Sequence, residues 1–178
     1  MIATLSGISP ASLTVRLSDA GATEALAAAL ARSFPGAAQA AVVLYLRGEL
    51  GAGKTTCVRA MLHALGVQGT VRSPTYTLVE PYRAGSMNFV HIDLYRLRGS
   101  LEADELGIRD YCEPLTLLLI EWPEKGGAAV PPADLDVHLE YDGSGRRAAL
   151  SAHGAVGEAW LAHLKADTSL IPYVTHLT

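Results

Sequence analysis

An α/β fold, with a central sheet flanked by helices, is what three features of this sequence predict. An apolar run at 42–46 leads into Gly48-Glu49-Leu50-Gly51-Ala52-Gly53-Lys54-Thr55, which has the pattern G-x-x-x-x-G-K-[ST]. Behind that loop Val58, Met61, Leu62 and Leu65 recur at i, i+3, i+4 and i+7, the apolar stripe of a helix. A second continuous apolar run, 115–120, has the character of a strand covered on both faces. Strand, glycine loop and helix in succession is the geometry in which backbone amides and a helix N-terminus surround phosphates. With Gly at roughly 7% of residues, a chain this long matches the pattern by chance less than about once in a hundred sequences. The flanking elements make accident rarer still, so the chain is expected to bind a nucleoside triphosphate.

The other elements follow in chain order. Residues 13–17 alternate apolar and polar, as a half-buried strand does. Ser18 or Asp19 can cap the alanine-rich helix behind it, where Leu26, Leu30 and Phe34 share one face and Pro35-Gly36 ends the run. Gly66 stops the helix that follows the loop. Pro74 forbids a continuous helix through 71–76, and the strand-like runs 77–83 and 87–93 flank a plausible hairpin turn, Ala84-Gly85-Ser86. A short acidic helix over 101–111 is broken by Gly107. Leu135, Val137, Leu139 and Tyr141 alternate along another strand, which the turn 142–145 joins to 147–151. A final helix carries Val156, Trp160, Leu161 and Leu164, and the segment after Lys165 is expected to be a loosely ordered tail. This organisation predicts one domain over residues 1–166 and a C-terminal tail over 167–178.

Composition narrows the classes. Of 178 residues, 49% are hydrophobic and 18% charged, as in a compact globule, and the formal charge of −4 argues against wholesale electrostatic binding to nucleic acid or an anionic membrane. The two cysteines, Cys57 and Cys112, have neither metal spacing nor a disulfide framework and read as reduced thiols. No apolar run approaches the roughly 18 residues of a membrane span, and the N-terminus lacks a basic segment followed by an apolar core. A cytoplasmic protein without a membrane partner is the expectation.

Chemistry centres on the loop. Gly51, Ala52, Gly53, Lys54, Thr55 and Thr56 form its phosphate-facing stretch; Lys54 is expected to reach the β- and γ-phosphates and the Thr55 hydroxyl to sit on Mg²⁺. Such a loop needs an acidic partner on a neighbouring strand. Glu121 ends the run 117–120 and is the first candidate for the metal, directly or through water; Asp93 ends 89–92 and is the candidate for orienting an attacking water. Thr75, in Ser73-Pro74-Thr75-Tyr76, is placed either to sense the γ-phosphate or in an ordinary proline turn. Trp122 is either a docking surface or core. Arg96 and Arg98 read as a solvated face before a catalytic one, and His91, alternating with apolar neighbours, as structural. The only asparagine is Asn88, so the guanine-reading N-K-x-D motif is absent and ATP is the default nucleotide.

Five segments in order carry a resemblance to a known family: 48–56, Ser73-Pro74-Thr75-Tyr76-Thr77-Leu78-Val79-Glu80-Pro81-Tyr82, His91-Ile92-Asp93-Leu94-Tyr95-Arg96-Leu97, 105–111 and Ile120-Glu121-Trp122-Pro123-Glu124. The chain resembles the bacterial TsaE family, formerly YjeE, over roughly residues 13 to 155. That resemblance implies a P-loop NTPase-like α/β fold whose central mixed β-sheet is flanked by helices. It implies ATP and Mg²⁺ as cofactors and slow ATP hydrolysis by the isolated protein. It also implies a place in threonylcarbamoyladenosine modification of tRNA beside the anticodon. The implied partner is the transferase complex of two sugar-kinase-like subunits, of the TsaB and TsaD type, reset by ATP turnover between rounds; tRNA is met within that complex. By position, Lys54, Thr55, Glu121 and Asp93 match the family's phosphate, magnesium, acidic and hydrolytic residues, and Thr75 lies in its switch-like loop. Thr23 matches a threonine near the base and Arg146 a nucleotide-side arginine. The first twelve residues and the tail exceed the usual family length but touch no motif. Two rival readings are a P-loop small-molecule kinase, for which no lid segment is evident, and a nucleotide-dependent adaptor whose ATP is structural.

Overall fold

The computed structural model describes residues 11–98 and 100–177. Eight strands form one mixed sheet: β1 (Ser12–Leu17), β2 (Val42–Gly48), β3 (Val79–Ala84), β4 (Met87–Asp93), β5 (Thr116–Glu121), β6 (Leu135–Asp142), β7 (Gly145–Ala152) and β8 (Val174–Leu177). Their order is β3-β4-β5-β2-β6-β7-β1-β8. The middle four, β4, β5, β2 and β6, are mutually parallel, and the flanking pairs are antiparallel. This is the central mixed sheet that the family resemblance implies.

Among the described residues four α-helices accompany it: α1 (Ala20–Ser33), α2 (Lys54–Ala64), α3 (Ser100–Glu105) and α4 (Gly154–Ala166). Strand alternation decides which side chains meet which layer. Leu44 and Leu46 of β2, Leu117 and Leu119 of β5 and Phe89 of β4 pack with Leu26 and Leu30 of α1, Met61 and Leu62 of α2 and Trp160 of α4. The intervening Val43, Ile92, Leu118 and Ile120 pack on the other face with Ala103 of α3, Ile108, Ala129 and Val130. Because the parallel strands are covered on both faces, β5 reads as an unbroken apolar run. The antiparallel β6 alternates buried and more exposed positions over its first half, because there only one face is well covered. Trp160 is fully buried, donates its indole N–H to Leu30 O at 3.0 Å and meets Phe34 edge-on at 5.1 Å.

The structure corrects several boundaries. Asp19, rather than Ser18, caps α1, its carboxylate accepting the Ala22 N–H at 2.9 Å. Phe34 lies one residue beyond that helix. β3 starts at Val79 instead of residue 77 because a turn over 74–78 is closed by the Leu78 N–H on Pro74 O at 2.7 Å. The acidic segment yields α3, then a separate 3-10 turn, Ile108–Tyr111, after Gly107 enters the left-handed region. Val156 faces solvent and is 40% exposed, so the buried stripe of α4 is Gly157, Trp160, Leu161 and Leu164.

The larger correction concerns the tail. Instead of trailing away, 167–177 folds back: a 3-10 turn, Thr168–Tyr173, leads into β8, which pairs antiparallel with β1. Without it β1 would present unpaired N–H and C=O groups along the sheet edge. Leu170 is buried in the core, and Arg32 holds the Asp167 carboxylate through Nε and Nη2 at 3.0 and 2.9 Å. The N-terminal residues 1–10, on which the absence of a leader was read, lie outside the described residues. Among the described residues no helix is long and apolar enough to cross a membrane.

Candidate functional site

Parallel pairing brings three strand ends to one edge of the sheet. Gly48 closes β2, Asp93 closes β4 and Glu121 closes β5. Asp93 pairs with Glu121 in register, and Leu46, two residues before the glycine loop, pairs with Glu121 on the other side. Ligands of open parallel sheets sit beyond such carboxyl ends.

The loop between β2 and α2 depends on glycine at its two ends. Gly48 has φ +131°, and a Cβ there would lie 2.1 Å from Leu139 O of the adjacent strand. Gly53, at φ +108°, caps α2 with no side-chain hydrogen bond, so no side-chain oxygen covers the amides of the first turn. Those amides and the partial positive charge of the helix end suit an anion. Lys54, only 4% exposed, curls back over the loop: its Nζ donates to Gly48 O at 2.7 Å and Glu49 O at 2.8 Å. The ammonium also lies 3.9 Å from the centre of the Trp122 ring. Burial lowers the Lys54 pKa, opposed by the charges of Glu121, Asp93 and Glu124.

Beside the lysine, the Thr55 hydroxyl donates to Glu121, its Oγ1 lying 2.9 Å from Oε1 and 3.0 Å from Oε2. Glu121 is 2% exposed and also accepts from Nε2 of buried His91 at 2.8 Å. Asp93 is equally sequestered. Its Oδ1 accepts the Tyr95 N–H at 3.0 Å, and burial raises its pKa above the usual carboxylate range, helped by Glu121. Among the described residues no group of three or more His, Cys, Asp or Glu side chains is arranged to hold a metal ion. The donor set of one hydroxyl and one carboxylate, next to a loop whose free amides suit an anion, fits Mg²⁺, which keeps several waters and takes other ligands from phosphates.

Two of the hollows along the loop reach its α2 end. One, of about 170 Å³, is lined by Leu50, Gly51, Gly53, Lys54, Thr55, Thr56, Glu121 and Trp122. The other, of about 240 Å³, runs from Gly51, Ala52, Gly53 and Thr56 to Asp19, Thr23 and Arg146. Thr23 and Arg146, more than a hundred residues apart, therefore line the same hollow beside the loop. The Arg146 guanidinium donates to Gly51 O at 3.2 Å and stacks on Tyr141 at 4.0 Å, while the Tyr141 hydroxyl donates to Leu50 O at 2.9 Å.

The expected residues do not all converge. Thr75 lines neither hollow; its hydroxyl bonds Ser73 Oγ at 3.1 Å within its own turn. Arg96 stacks on exposed Tyr76 of that same segment at 4.4 Å, and the Arg98 N–H is held by Glu102. Trp122, which the sequence left between docking surface and core, is half-buried: it packs against the core and sits at φ +58° against Lys54 and Tyr95 at the loop mouth. Sequence reasoning missed His91 as a partner of Glu121, and Tyr141 as a brace of the loop. For His91 a signal existed, since it stands two residues before Asp93 and so shares its face of the strand.

Comparison with known proteins follows the same outline. The family model for "Threonylcarbamoyl adenosine biosynthesis protein TsaE" matches residues 17–149. The tRNA threonylcarbamoyladenosine biosynthesis protein TsaE of Haemophilus influenzae is 47% identical over 118 residues, 66% of this chain and 75% of that protein. Its counterpart in Aquifex aeolicus is 40% identical over 102 residues, 55% of this chain and 67% of that protein. The crystal structure of Bacillus subtilis YdiB superposes with a TM-score of 0.72 at 26% identity, covering 90% of this chain and 98% of that one. The matched stretch contains every candidate residue from Thr23 to Arg146 and excludes β8.

Proposed function

This chain belongs to the TsaE family of threonylcarbamoyl adenosine biosynthesis proteins, and we propose that it is a P-loop, Mg²⁺-dependent ATPase acting in threonylcarbamoyladenosine modification of tRNA. Its turnover resets a threonylcarbamoyl-transferase complex of TsaB- and TsaD-type subunits, in the cytoplasm, with tRNA met inside that complex. One observation carries the ATPase reading: Lys54, the Thr55–Glu121 pair and Asp93 converge at the ends of three parallel strands around an uncapped helix N-terminus.

Each residue's part follows from its surroundings. Lys54 holds two loop carbonyls in this structure; with ATP it exchanges them for β- and γ-phosphate oxygens, a charge-assisted bond replacing a weaker one. The first-turn amides of α2 and the loop amides take the remaining phosphate charge. Thr23 and Arg146 border the neighbouring hollow, which receives the nucleoside part. Thr55 and Glu121 would hold Mg²⁺, which would supply positive charge to neutralise the phosphates. Asp93 has Oδ1 occupied by the Tyr95 N–H, which leaves Oδ2 to accept a hydrogen bond from the attacking water and turn its lone pair toward phosphorus. Trp122, at the loop mouth, is the partner-coupling residue, Thr75 acts as a switch residue by leaving the turn that holds its hydroxyl on Ser73, and slow turnover alone reflects a site completed when a partner closes over it.

Phosphate release from ATP by the purified chain, alone and with the transferase subunits, tests this reading. Stimulation by the subunits that disappears in Lys54→Ala is the expected result. ATP binding and complex formation without any hydrolysis overturn the ATPase reading.

A further inference from the structure

Among the described residues, His91 is the one polar side chain with no exposed surface at all, and the proposed chemistry leaves it unused. It is fully buried, and its Nε2 lies 2.8 Å from Glu121 Oε1. A carboxylate oxygen accepts only, so Nε2 carries the proton in this bond. On the other side of the ring Nδ1 is buried with no hydrogen-bond partner among the described residues. Packing alone gives no reason for that arrangement. A leucine or phenylalanine on β4 would fill the same buried space without an orphaned ring nitrogen. The bond to Glu121 is what the imidazole provides that an apolar side chain cannot.

Glu121 needs such a donor. Its carboxylate is almost wholly buried, and the Thr55 hydroxyl approaches both oxygens almost equally, at 2.9 and 3.0 Å, so that hydrogen bond does little to fix the rotation of the group. His91 bonds one oxygen only, from a ring locked in the core. We infer that His91 is a positioning residue for Glu121, holding the carboxylate so that it accepts the Thr55 proton and leaves the hydroxyl oxygen available to a divalent cation. This rests on the proposed Mg²⁺–ATP reading of the same site. Outer partners of metal ligands typically contribute about 10–100-fold to metal affinity, and His91 is assigned that share here.

The experiment is nucleotide binding by calorimetry, with ATP in excess Mg²⁺ and with ATP in a chelator, on the full chain. Wild type is expected to bind more tightly with Mg²⁺. His91→Leu is expected to bind ATP as wild type does in chelator and to lose about 10–100-fold of the Mg²⁺-dependent gain. His91→Gln, whose amide nitrogen reaches toward the position of Nε2, is expected to recover much of the gain, whereas the shorter His91→Asn is not. A folded His91→Leu with the full Mg²⁺ gain overturns the inference, and so does a Gln variant no better than Asn. The Gln–Asn comparison decides the matter by itself if the Leu variant fails to fold. Absence of any Mg²⁺ gain in wild type instead removes the underlying reading, and this inference with it.

Discussion

Replacing Gly48 by alanine separates what the loop needs from what the sheet needs. An L-residue at φ +131° is strained wherever it is placed, at a cost of about 1–3 kcal/mol. In addition the new Cβ would stand 2.1 Å from Leu139 O, a backbone atom of β6 that the ladder pairing of Leu139 with Gly48 holds in place. Relief requires the loop to shift by about an ångström, an overpacking cost of about 1–3 kcal/mol more. A sum near 4 kcal/mol, at about 3 °C per kcal/mol for a chain of this size, lowers the melting temperature by about 12 °C. The same shift carries away Gly48 O, which anchors Lys54, so ATP affinity is expected to fall at least about tenfold, equivalent to about 1.4 kcal/mol. Gly85→Ala is the control. Gly85 lies in the β3–β4 turn at φ +58° with nothing within 4 Å of a new Cβ, so it loses only the left-handed preference, about 1–2 kcal/mol, and no ATP affinity. Thermal unfolding followed by circular dichroism and titration with ATP read both variants. A Gly48→Ala protein that melts no lower than Gly85→Ala and binds ATP like wild type refutes the reasoning.

Lys54→Ala is expected to reduce phosphate release at least about a hundredfold, as loss of a preorganised charge does; a rate within twofold of wild type would sink the assignment of Lys54. Asp93→Asn keeps the acceptor for the Tyr95 N–H but removes a buried charge next to Glu121. Because the folded-state pKa of Asp93 is raised, chiefly by burial, its contribution to stability is present below the unfolded value of about 3.9 and is lost as pH rises through the folded value. The variant should therefore melt at or above wild type at pH 7, with the difference shrinking toward pH 4, while hydrolysis falls and loses its rise with pH. Wild-type melting that exceeds the variant's more at pH 7 than at pH 4 contradicts that sign. Deleting 167–178 removes buried Leu170, about 2 kcal/mol by itself, and uncovers β1; a melting temperature lower by about 5 °C or more is expected, and an unchanged one returns the segment to the status of a tail. Trp160→Ala should cost about 3–5 kcal/mol through its cavity and the lost bond to Leu30 O, read as a lower urea midpoint.

Local patterns located most elements to within two residues. β4 ends where its apolar run meets Asp93, and the strand-loop-helix unit around Gly48 and Lys54 stands where the glycine spacing put it. Failures have specific causes. Val156 satisfies the apolar period of α4 yet faces solvent, because the helix turns Gly157 toward the backbone of Asp134. The segment after Lys165 carries no long period of its own, since β8 is selected by the free edge of β1, a partner about 160 residues away. For Thr75 the proline context left a phosphate sensor and an ordinary turn open, and only the fold shows the turn that Leu78 closes, with its hydroxyl on Ser73.

The sequence by itself determined the loop, the strands that feed it and the carboxylates that end them, since glycine spacing, apolar runs and helix periods act over a few neighbouring residues. Only the tertiary structure decided that Glu121 faces Thr55 and His91 together, that Thr23 and Arg146 border one hollow, and that the last strand completes the sheet. Those contacts depend on strand order and on the direction of parallel pairing. They are set by how eight strands share one buried layer, which no single stretch of chain encodes.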